Sequence, residues 1–181
     1  MRGFNSSQIT QLFNGISVQY DVIAARPVDA WLLDRIEVIG GPSNFLFGAG
    51  AVGGAINYVS KVAQRERGVH DFYAAHGSFN TNRLSYGYNG ALGGDQARNW
   101  VRLDVSHQDS DGFVKPGKSK SNVMSLSWLS DIAPNLSHTL AYEYVDENRL
   151  PYWGTPILRP TSQAQADPAT IRRNYNVSDG L

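Results

Sequence analysis

What most constrains this chain is a two-residue rhythm in its second two-thirds. In RLSYGYNGAL, residues Leu84, Tyr86, Tyr88 and Leu92 point one way, while Arg83, Ser85, Gly87 and Asn89 point the other. The same alternation sets Val101, Leu103 and Val105 against Arg102, Asp104 and Ser106. It then sets Met124, Leu126 and Trp128 against Ser125 and Ser127, and Leu140, Tyr142 and Tyr144 against Thr139, Ala141 and Glu143. A period of two is that of a β-strand, whose successive side chains leave opposite faces. Strands are therefore expected near residues 82–93, 99–109, 121–130 and 137–146, with an earlier one, less sharply alternating, near 69–78.

Two architectures fit such a pattern. One is a soluble antiparallel sheet with its apolar face on a core. The other is an outer-membrane barrel, apolar toward lipid and polar toward its lumen. Three details favour the barrel. The polar face carries Arg, Asp and Glu rather than small residues. Tyr88, Trp100, Trp128 and Tyr144 sit near strand ends, where interfacial girdles belong. GGDQARN and DIAPNLS are short connections, whereas SDGFVKPGKSKS and the stretch from residue 147 onward read as long external loops.

Composition narrows the field further. The 181 residues carry 16 basic and 16 acidic side chains, a balance that points to no nucleic-acid partner. There is no cysteine, which removes disulfides and thiolate metal sites. No run of apolar residues is long enough for a membrane-spanning helix, and no basic-then-apolar pattern is read at the start of the sequence, where RGF reads as mid-domain. The four histidines, His70, His76, His107 and His138, lack metal-ligand spacing, so no protein-held metal or other cofactor is expected. No nucleophile stands beside a base, so covalent catalysis is not expected.

The first 61 residues have a different texture: short β-prone runs broken by Gly, Pro and Asn. A helical turn over 29–34 feeding a strand at 35–39 is expected within VDAWLLDRIEVI. Gly48, Gly50 and Gly53 spell G-x-G-x-x-G, the spacing of a dinucleotide-binding turn. That reading fails on its surroundings. Pro42 cuts the preceding strand short, and AINYVSK after Gly54 has no helical stripe to place an N-terminus under a pyrophosphate.

Arg35 to Lys61, with RGF at 2–4 and FNGI at 13–16, carries a more specific signal. It resembles the plug domain of TonB-dependent outer-membrane receptors, whose later half reads R-I-E-V-x-x-G-P, then L-[YF]-G, then G-G-x-[IV]-N-x-x-[ST]-K. GSFNTNRLSYG and HQDSDGF resemble the opening barrel strands of the same family. The resemblance thus implies a mostly all-β chain, a plug-domain fragment at 1–64 followed over 65–181 by about five antiparallel strands of a transmembrane barrel. Plugged outer-membrane transporters have ~22 strands, so the chain is read as part of a longer receptor. In the family the glycine-rich run serves close backbone packing, so Gly3, Gly15, Arg35, Glu37, Gly41, Pro42, Gly48, Gly53, Gly54, Asn57 and Lys61 are expected to be structural plug positions. Two departures stand out. Gly40 occupies the place of the usual Arg or Lys, a cation that anchors the plug to acidic groups on the barrel wall in relatives. Asn14 replaces the commoner Asp before Gly15.

What the resemblance implies for function is energised import of a ferric siderophore across the outer membrane, without covalent chemistry. Its partners would be TonB, outer-membrane lipid and lipopolysaccharide. Cobalamin, haem, nickel-chelate and oligosaccharide receptors share the plug motif. Carried over by motif, Arg2 and Phe47 reach the plug apex. Arg2 meets an anionic ferric complex or makes an internal ion pair, and Phe47 touches ligand or packs in the plug. Gln19 and Tyr20 fall in an apical loop. Tyr152 and Trp153, in LPYWGTPI, stack on a chelate or anchor a loop at the rim. Lys115, Lys118 and Lys120 are read as solvated, with lipopolysaccharide phosphate as the alternative.

Overall fold

A computed structural model of the chain describes residues 9–17, 28–41, 53–149 and 172. Two compact units divide it, residues 1–63 and 64–181. Each holds one sheet.

The first unit is a four-stranded sheet built from β1 (Ile9–Phe13), β2 (Ile16–Ser17), β3 (Leu33–Gly40) and β4 (Gly54–Ser60), in the order β2-β1-β4-β3. Asn14 and Gly15 join β1 to β2, and both adopt positive φ, +51° and +80°. That is what a two-residue hairpin turn matched to strand twist demands, and Asn-Gly supplies it at little cost. β4 pairs in parallel with β1 and antiparallel with β3. It opens at Gly54 with φ +131°, a backbone state closed to side-chain-bearing residues, so this glycine is needed for conformation. The helical turn expected over 29–34 is a single 3₁₀ turn, Ala30–Leu32, capped by Asp29, whose carboxylate accepts the Trp31 amide at 2.8 Å. Its Leu32 is buried, as are Leu12 of β1 and Ala55 of β4.

The second unit is a five-stranded antiparallel meander of β5 (Val69–Gly77), β6 (Thr81–Leu92), β7 (Asn99–Ser110), β8 (Ser119–Ala133) and β9 (Leu136–Arg149). Register aligns the mostly apolar residues of one face into three cross-strand rows. Phe72, Tyr86, Val105, Met124 and Tyr144 form one. His70, Tyr88, Leu103, Leu126 and Tyr142 form the next, and Gly90, Val101, Trp128 and Leu140 the third. This face is the open one: Leu126 is 47% exposed, while its neighbours Ser125 and Ser127 are 3% and 2% exposed. A soluble sheet would bury the leucine and show the serines. The inversion is that of a wall with lipid outside and a polar interior.

Three expectations change. Trp100 does not belong to an interfacial girdle. It lies on the polar face opposite Leu129 and is 9% exposed, because it shares parity with Arg102 and Asp104. β8 and β9 outrun their apolar alternation: an irregularity between Asp131 and Ala133 keeps the ladder going to a tight turn at Pro134 and Asn135. At the other end Glu147, Asn148 and Arg149 still pair with Ser121, Lys120 and Ser119, so 147–149 are strand rather than loop. Backbone pairing continues there after apolar side chains, the only periodic signal, have stopped. The loop-length asymmetry is also weaker than read, since 78–80, at the same end as 111–118, is a short turn.

Candidate functional site

In the first unit the hydrogen bonds converge on Asn57. Its Oδ1 accepts the Gly15 amide at 2.9 Å and its Nδ2 donates to Glu37 Oε2 at 2.8 Å. Glu37 Oε1 in turn accepts from Arg35 Nε at 2.8 Å. One buried amide thus connects the β1–β2 turn, β4 and β3, and the structure brings together Gly15, Arg35, Glu37 and Asn57. The Asn57 amide, and secondarily the Arg35 guanidinium, hold the Glu37 carboxyl below its ordinary pKa. Asp34 and then Glu37 push the Arg35 guanidinium the other way, upward.

Asn14, one residue from this centre, docks the same turn a second time. Its Oδ1 accepts the Ser60 amide and its Nδ2 donates to Ser60 Oγ, each at 2.9 Å. Aspartate would lack the donor, so the departure from the commoner residue carries a bond of its own. Lys61, which ends the motif, donates its amide to Leu32 O at 2.8 Å and sets Nζ 4.4 Å from the centre of the Trp31 ring. Gly41, just past β3, has φ +94° and Gly53, just before β4, is buried. Gly40 pairs with Gly54 at the end of β3. Arg2, Gly3, Gln19, Tyr20, Pro42, Phe47, Gly48, Tyr152 and Trp153 lie outside the described residues.

The wall's polar face has a charged centre that no motif announced. Arg102 Nε and Nη2 donate to the two oxygens of Asp104 at 2.6 and 3.0 Å, and Nη2 also donates to Asp71 Oδ2 at 3.3 Å. Asp104 is wholly buried. Gly87 stands between the two carboxylates in the register, and a Cβ there would come within 2.7 Å of Asp104 Oδ1. The glycine is absent of side chain because the carboxylate needs the space. Alternation had placed Arg102 and Asp104 on the polar face, and their spacing of two on one strand was the available signal of the pair.

Among the described residues no three His, Asp or Glu side chains converge to hold a metal. His70 and His107 instead sit against Tyr86 OH and Asn122 Oδ1, at 2.8 and 2.7 Å.

Residues 1–55 match the TonB-dependent Receptor Plug Domain family. Among curated proteins, the chain is 27% identical to a hemin receptor of Yersinia enterocolitica, covering 98% of this chain and 28% of that protein. It is 33% identical to a ferrioxamine receptor of the same species, covering 72% of this chain and 19% of the relative. Among solved structures, the ferric-catecholate import receptor Fiu of E. coli K12 superposes with a TM-score of 0.74 at 27% identity, over 86% of this chain and 23% of that one. The chain spans less than a third of the length of these relatives. A glycine-turned plug sheet on one side of residue 64, and on the other a wall with serines inside and leucines out, place the chain in the family of TonB-dependent outer-membrane receptors.

Proposed function

We propose that the chain supplies part of the plug and the opening wall strands of a receptor that imports ferric siderophores across the outer membrane, energised through TonB. The observation that carries this reading is the inverted wall: apolar rows open to lipid, with Asp71, Arg102 and Asp104 on the opposite face. Such a wall belongs to a structure with a polar interior, and a plug sheet precedes it in the chain. The relatives named for ferrioxamine and ferric catecholate support the siderophore class. Haem import is the second reading, supported by the hemin receptor that aligns over 98% of this chain. In either case the work is binding and movement, with no bond made or broken in the cargo. Arg2, Gln19, Tyr20, Phe47, Tyr152 and Trp153 are the proposed cargo contacts.

The test is uptake by the full-length receptor that carries this chain, in an iron-starved strain lacking its own receptors. Hydroxamate and catecholate ferric siderophores and haemin are offered separately, with and without TonB. Siderophore uptake that requires TonB supports the first reading, and TonB-dependent haemin uptake alone replaces it with the second. Uptake of none of them removes both. A Trp153→Ala variant is expected to weaken binding of the accepted cargo about 10-fold, the loss of one aromatic contact.

A further inference from the structure

The segment joining the two units is fastened to the wall at two consecutive residues. Asn89, 1% exposed on β6, accepts the Gln64 amide at 2.9 Å on Oδ1 and donates Nδ2 to the Gln64 carbonyl at 3.2 Å. Its side chain therefore mimics one rung of a strand ladder. The next residue, Arg65, makes a two-pronged ion pair with Asp131 on β8, at 3.0 and 2.5 Å, and its guanidinium lies 5.7 Å from the centre of the Trp100 ring on β7. Three different strands thus hold two adjacent residues. The chain then turns through Gly68, whose φ is +55°, and returns to pair Val69 with the backbone of the same Asn89. The loop 65–68 is closed at both ends on one residue. The first unit ends at Ala63, directly before this fastening.

We infer that Gln64 and Arg65 form a mechanical stop, anchored by Asn89, Asp131 and Trp100, at which a pull on the plug is borne by the wall before it reaches β5. The inference rests on the proposed TonB-energised import, with that energy taken to reach the plug as a pull along its chain. Its geometry suits the task. A load arriving along the chain from Ala63 meets the Asn89 amide pair and the Arg65 fork together, on side chains of β6 and β8 that the ladder already holds. β5 itself, paired along its length with β6, is spared peeling from its first rung.

The test applies force to the full-length receptor in a lipid bilayer through a handle at its N-terminus. Extension of the wild type is expected to pause once the chain through Ala63 is drawn out. In an Asn89→Ala, Asp131→Ala double variant the pause moves to Val69, five residues later, lengthening the released chain by about 18 Å. A second measurement needs no force: trypsin cleavage after Arg67 in the folded receptor. Each single variant is expected to speed it about 10-fold, because loss of the bonds shifts local opening by that order. Receptor migration as a folded band on unheated gels confirms that the wall is intact. A wild type with no pause before Val69, or variants with unchanged pause and cleavage, overturns the stop. Both readouts proceed without TonB or cargo, so failure of the transport reading leaves them unaffected, and their failure leaves uptake standing.

Discussion

At the residue scale, Asn57 shows how much a single amide organises. It is buried, it satisfies the backbone N–H of Gly15, and it holds Glu37 ionised. Asn57→Ala would remove the bond to the Gly15 amide, which is exposed and can turn to water, an expected loss of about 0.5–1.5 kcal/mol measured by chemical denaturation of the receptor. The Glu37 carboxyl makes a second, pH-dependent prediction. Its folded pKa lies below the ordinary 4.5, so the stabilisation it contributes is fully present above that value. It fades as pH falls through the lower folded pKa. A ¹³C titration of the Glu37 side chain should give a midpoint under 4.5 that rises in Asn57→Ala; a midpoint at or above 4.5 in the wild type would refute the arrangement. The motif marks Glu37 and Asn57 as expected structural positions, but gives no sign that they bond to each other. Twenty residues separate them, and only the β3–β4 register makes them partners.

At the scale of elements, the strands were legible because lipid and lumen impose opposite demands on alternate residues. Where those demands end, so does the signal, which is why β8 and β9 run further than their leucines and tyrosines indicated. Trp100 was misread for a related reason: aromatic identity and nearness to a strand end suggested a girdle, whereas parity put it on the polar face under Arg65. Parity outranks residue type, since a one-residue shift would turn the whole strand over. Gly87 tests the packing of that face. A methyl group there meets Asp104 Oδ1 at 2.7 Å, and Arg102 holds that oxygen in place. Gly87→Ala is expected to destabilise the wall by about 1–3 kcal/mol, read as a lower urea midpoint for unfolding from vesicles. A Ser125→Ala control on the same face should change it little.

At the scale of the whole molecule, the exposed face decides the environment. Apolar residues on β6 run from Leu84 to Leu92, about 27 Å along the strand at ~3.4 Å per residue, enough for a tilted strand to cross the hydrocarbon of an outer membrane. Leu126 sits in the middle row. Leu126→Arg is expected to cost about 2–4 kcal/mol of folding free energy in vesicles, and the same change at Ile132, near a strand end, much less. Equal costs at the two positions would mean that this face does not see a bilayer. By itself the sequence determined that the chain is mostly β and which side chains of the wall strands share a face. Those properties follow from local periodicity, which alternate residues of a strand impose. Only the tertiary structure decided that Gly87 clears space for a carboxylate, and that Asn89 and Asp131 fasten Gln64 and Arg65. Such contacts join residues 25 and 66 positions apart, and no local pattern encodes them, because register and strand order set the distance between their side chains.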